Sequence, residues 1–230
     1  EGVIIPYFVS FNDSSKAGKM VDSAWKEFGQ RVANAAKIDA GLFAWDKHRT
    51  IAGNLFSYVS RFTWESKQTV LGNFVSHFRN NFWRTNVEYY HGATLVNRNG
   101  HRNNGWGMTL GSYINGYNLE ADPQKERTFA HEYGHTKQSM VLGPLYLSLV
   151  GIPSIIGSVS DDIGLSDHHR EWYEVWSNQM SYNYFDRHNE KAITSNWSTN
   201  NPRKQHVDWF FYTTMVYYAS LFRWPFIFIF

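Results

Sequence analysis

No cysteine occurs among the 230 residues. That excludes disulfides, thiolate-bound metals and cysteine nucleophiles together. Charge of one sign is scarce in any one place. The formal net charge is +2 and no run of like charges occurs, so the clustered basic footprint of a nucleic-acid-binding protein is missing and no nucleic-acid partner is expected. Long apolar runs are missing too. The stretch 141–157 is interrupted by Pro144, Pro153 and glycines, and 213–230 by Arg223 and Pro225. Neither supplies the roughly 20 apolar residues of a spanning helix, so both are expected to be core and no membrane span is expected. Glu1 to Pro6 hold neither a basic segment nor a long apolar core, so no signal peptide is expected there. The chain does not begin with Met and reads as a mature form or a piece of a longer protein.

What is present suffices for a folded core. Hydrophobic residues make up 43% and charged residues 18%, which argues against wholesale disorder. Aromatics reach 18% and suit a packed core or a binding cleft. Apolar residues at helical spacing predict helices over 14–38, about 48–61 and about 66–80. In the third, Val70, Leu71, Phe74, Val75 and Phe78 share one face. Residues 86–97 and 106–114 read as two strands of an antiparallel hairpin with a long polar loop. Asp122-Pro123 reads as a helix start and Gly143-Pro144 as its stop. Residues 145–158 are expected to be buried, 159–167 a polar loop, 170–184 a helix, 194–204 a loop and 206–222 a last helix. The simplest account is one α+β domain, mostly helical, with a small antiparallel sheet or hairpin beside the motif helix.

That helix carries His131-Glu132-Tyr133-Gly134-His135. Histidines four apart lie one turn apart on one helix face. Two imidazoles so placed can share one tetrahedral zinc ion. Glu132 projects from the next position, where it can act as general base on a water without being a ligand. This is the HExxH arrangement of zinc metallopeptidases, and it predicts a zinc-dependent hydrolase acting on a peptide or protein.

A catalytic zinc needs a third protein ligand. Gln138 and Val141 stand where the metzincin pattern requires Gly and His, which excludes that class. A carboxylate from a second helix is the other common solution. Glu174 has that place; Glu171, His168 and His169 are competitors, with His169 the alternative third ligand. Asn178, one turn beyond Glu174, can hydrogen-bond a ligand imidazole. Tyr133, Tyr146, Tyr182, Tyr184 and His169 are candidates by type to stabilise an oxyanion. The strand from Trp106 could offer its edge to an extended peptide.

Several segments resemble a known group in order and spacing. They are Gly92-Ala93-Thr94-Leu95-Val96, Thr109 to Gly116, Ala121-Asp122-Pro123, the HExxH motif, Gln138-Ser139, Gly143 to Leu147, Gly151 to Ser154 and Tyr173 to Asn178. Over about 66–186 the chain resembles C-terminal domains of Bacteroidetes proteins, often at the end of RHS/YD-repeat chains. The group carries a Thr-Glu-x-x-Ala-Asn setting on a later helix. Here Glu174 and Asn178 match it, while Tyr173 and Ser177 replace Thr and Ala. The resemblance implies a metallopeptidase with a gluzincin-like ligand set of His131, His135 and Glu174. It also implies a toxin or effector domain, secreted or delivered outside the producing cell, with an upstream RHS shell or an immunity protein as partners. On this reading 1–65 is a helical portion or connector, 66–186 the catalytic core and 187–230 a C-terminal helix with an apolar tail. The competing expectation is a non-catalytic, zinc-stabilised interaction module, closed by a fourth ligand such as His168 or His169.

Overall fold

The computed structural model describes residues 14–100, 105–162 and 168–190. Three helices come first: α1 (Ser14–Ala40), α2 (Ile51–Phe62) and α3 (Ser66–Phe82). Four strands follow: β1 (Asn86–Tyr90), β2 (Ala93–Arg98), β3 (Trp106–Leu110) and β4 (Tyr113–Tyr117). Then come α4 (Arg127–Leu142), α5 (Ile152–Asp162) and α6 (Trp172–Arg187). The expected α+β class holds. Thr50 caps α2 by accepting from the Gly53 N–H, and Gly143, at φ +54°, stops α4 as expected. The α4 start differs from expectation. Asp122 closes a turn with Lys125 and Glu126, and Glu126 is the cap. The segments expected at 194–204 and 206–222 lie outside the described residues.

The sheet corrects the sequence expectation. Each expected strand folds back on itself. His91 (φ +44°) and Gly92 (φ +84°) turn β1 into β2, and Gly111 (φ +63°) begins the turn from β3 into β4. Positive φ at both central residues suits one kind of two-residue hairpin turn, and a glycine at positive φ in the first central position suits the other. The two hairpins then join through a parallel β2–β4 pair, Thr94 opposite Tyr113. The order is β1-β2-β4-β3, so the sheet is mixed and β3 is an edge strand.

Alternation sorts the side chains between the two sheet faces. Leu95 and Ile114 pack with Phe129, Ala130, Tyr133 and Phe185 from α4 and α6. Val87, Val96 and Tyr113 pack with Ile38 of α1 on the other face. Each fully buried large apolar side chain contributes about 1.5–3 kcal/mol.

The three N-terminal helices are largely polar inside and apolar outside. Gln68, Thr69, Ser76 and Asn80 of α3 are buried, whereas Val70 is 66% and Phe74 64% exposed. Trp25 of α1 and Ile51, Leu55, Phe56 and Val59 of α2 are also exposed. Many of the inward polar groups are matched, largely to backbone carbonyls, whereas Thr69 Oγ1 and Gln68 Oε1 have no hydrogen-bond partner among the described residues. Arg61 donates to Leu42 O and Gly92 O, Asn34 to Thr85 O and Gln68 to Gly143 O. The expectation that 145–158 is buried also fails. Tyr146 and Val150 are buried, but Ile152, Ile155 and Ile156 are exposed on α5. That helix also takes up 159–162 of the expected polar loop. Among the described residues no single helix is long and apolar enough to cross a membrane.

Candidate metal centre

The site forms where α4 crosses α6. The motif's Gly134 makes the crossing possible: a Cβ there would collide with the backbone carbonyl of Ser177. Ser177 Oγ donates to His131 O at 2.7 Å and Ser181 Oγ donates to Ala130 O. Two serines of α6 thus bond to carbonyls of α4, and Glu174 is carried up to the histidines.

Three donors converge there. His131 Nε2 and His135 Nε2 are 3.1 Å apart. Glu174 Oε2 is 2.7 Å from the first and 3.2 Å from the second. Donor atoms on a tetrahedral zinc are roughly 3.3 Å apart, given bonds of about 2.0–2.1 Å. Glu174 is 1% exposed, and its Oε1 has no hydrogen-bond partner among the described residues.

The other ring nitrogens decide what these donors are. Gln138 Nε2 donates to Tyr173 O at 2.7 Å, which turns its Oε1 toward His135 Nδ1, also at 2.7 Å. His135 therefore donates from Nδ1. His131 Nδ1 likewise faces Asn178 Oδ1 at 2.7 Å. In neutral rings both Nε2 lone pairs then point at each other beside a carboxylate, an arrangement that calls for a cation. A proton meets part of that need. Burial disfavours the charged form of His131, but the Glu174 hydrogen bond and the charges of Glu174 and Glu132 raise its pKa to about 9. Burial would raise the Glu174 pKa; the charge of His135 and bonds from both histidines hold it well below its usual value. A divalent cation would satisfy all three donors at once, so the residues fit a zinc ion.

Glu132 stands apart from this cluster. Thr109 Oγ1 lies 2.7 Å from Glu132 Oε2 and 3.0 Å from Glu132 O. Gly107, on the edge strand, leaves the space the side chain occupies: a Cβ there would come within 2.5 Å of Glu132 Cγ. Thr109 O accepts from Tyr146 Oη at 3.0 Å, so it points away from β4. By strand alternation the backbone of Gly107 also faces away from β4, on the side where no further strand pairs among the described residues.

Two competitors fall elsewhere, and His168 lies beside Glu174 without joining the three converging donors. Glu171 is the exposed residue before α6. His169 is exposed and outside the cluster, whose donor atoms lie within 4.8 Å of one another. Its pKa is lowered, by partial desolvation and then by the charges of Arg127, His131 and His168. His168 Nε2 lies 3.3 Å from Glu174 Oε1 and is likewise outside the cluster. Three tyrosines are committed to other bonds: Tyr133 to His91 O, Tyr146 to Thr109 O and Tyr184 to Asp46.

Sequence reasoning missed Gln138, Thr109, Gly107 and Gly134. Gln138 had a usable signal, since it lies three residues beyond His135 on the same helix face. Comparison with known proteins identifies no relative: no family model, curated protein or solved structure matches the chain.

Proposed function

We propose that the protein is a zinc-dependent hydrolase that cleaves peptide bonds, with His131, His135 and Glu174 holding the metal and Glu132 as general base. The observation that supports this most is the pair of imidazoles whose Nδ1 protons are fixed by Asn178 and Gln138, leaving both Nε2 atoms turned on Glu174. A bound zinc would supply Lewis acidity, polarising a carbonyl and acidifying a water.

The chain's own residues supply the rest. Thr109 holds Glu132 Oε2, leaving Oε1 to take a proton from the attacking water and return it to the leaving amine. Gly107 offers its amide and carbonyl on the side of β3 where no further strand pairs among the described residues, and there an extended peptide can add as a further strand. The sequence resemblance supports one more part of the proposal: a domain delivered outside its producing cell, working with an RHS shell or an immunity protein.

The test is digestion of a mixture of unstructured peptides by the zinc-loaded protein, followed by mass spectrometry. Wild type should cleave. Glu132→Gln should keep its zinc and cleave at least about 100-fold more slowly. Equal rates of cleavage would overturn the role given to Glu132, and zinc bound without cleavage by either protein would favour the interaction-module reading.

A further inference from the structure

The donor set of the first centre occurs once more among the described residues. His48, His91 and Glu190 offer donor atoms within 4.8 Å of one another. They come from three distant segments: the loop before α2, the β1–β2 turn and the chain just beyond α6. Glu190 Oε1 lies 3.0 Å from His48 Nε2 and 3.2 Å from His91 Nε2. Lys47 Nζ is 3.2 Å from the same oxygen.

The surroundings orient these groups. Tyr90 Oη donates to Glu190 Oε2 at 2.9 Å, which leaves Oε1 facing the rings. Asp46 Oδ1 stands 3.7 Å behind His91 Nδ1, so a carboxylate backs the ring nitrogen opposite the donor, as behind metal-ligating histidines. Asp46 is itself fixed by Tyr184 Oη at 2.7 Å and the His48 N–H at 3.0 Å. The His48 ring is stacked between His91 and His188. His91 is buried and occupies a left-handed turn position where Asn, Asp or Gly is the usual choice.

We propose that His48, His91 and Glu190 form a second site for a divalent transition-metal ion, of the zinc class by its imidazole and carboxylate donors. The site shares no donor with the first. Tyr133 of the motif helix connects the two, since its Oη donates to His91 O at 2.9 Å. The second ion would fasten the end of α6 to the β1–β2 turn, and α6 carries Glu174. Lys47, 66% exposed, competes with the ion for Glu190 Oε1 and can swing into solvent when the ion binds.

The test is zinc titration of the chelator-stripped full chain against a competing indicator, with circular dichroism to establish that each variant is folded. Wild type should take two ions. Glu190→Gln and, as a second variant, His48→Ala should each take one fewer. Glu174→Gln should lose the other ion and keep this one, which separates failure of this proposal from failure of the first centre. Lys47→Met should bind the second ion several-fold more tightly, an effect that a purely hydrogen-bonded cluster would not give. Wild-type stoichiometry in folded Glu190→Gln and His48→Ala, or unchanged affinity in Lys47→Met, would overturn the proposal.

Discussion

Gln138 determines which nitrogen of His135 carries the proton. Its amide nitrogen is committed to Tyr173 O, so its oxygen must face His135 Nδ1. Gln138→Leu removes that acceptor, and zinc affinity should fall about 10–100-fold. Gln138→Glu keeps an acceptor at the same place and should retain more of the affinity. Competitive zinc titration of the two variants checks this; equal losses would count against the role given to Gln138.

Gly134 sets how closely α6 approaches α4. A methyl group there meets backbone, which cannot move without displacing Glu174. Gly134→Ala should cost about 1–3 kcal/mol of stability and weaken zinc binding as well. Denaturant titration with and without zinc measures both. A variant with wild-type zinc affinity would show that the crossing does not position Glu174.

The loop before α2 predicts a pH dependence. Burial would raise the pKa of Asp46, but His91, the charge of Lys137, the Tyr184 hydroxyl and the His48 N–H hold it well below its usual 3.8. Such a carboxyl binds fewer protons folded than unfolded. Its contribution is therefore complete above about pH 4 and is lost as the pH falls below that. Glu190, lowered to about 2, adds to the same slope. Asp46→Asn should lose about 3 kcal/mol at neutral pH by leaving buried partners unmatched. It should also show a shallower decline than wild type from pH 5 to pH 3. Denaturation midpoints across that range check it, and parallel curves would contradict it.

The parts of the site that were legible rest on short-range spacing. His131 and His135 are one helical turn apart, and Glu174 and Asn178 repeat that interval on another helix, so two simple periodicities identify four residues. What brings the two helices together was not legible. Gly134 and Ser177 matter because their backbones touch, and contact between distant segments leaves no local pattern. The strands were misjudged because His91-Gly92 and Gly111-Ser112 are two-residue turns inside what read as continuous strands. The apolar stripes of α2 and α3 gave the helices but not their orientation. Asn54, Gln68 and Asn80 go inward because side chains and backbone carbonyls there meet them, a matching set only the fold assembles.

The most direct measurement is bound zinc per chain after mild dialysis, by elemental analysis, in wild type, Glu174→Ala and His169→Ala. The account predicts that Glu174→Ala holds one zinc fewer than wild type and that His169→Ala holds the same number. Zinc-free wild type after zinc has been supplied, or undiminished zinc in Glu174→Ala, would contradict it.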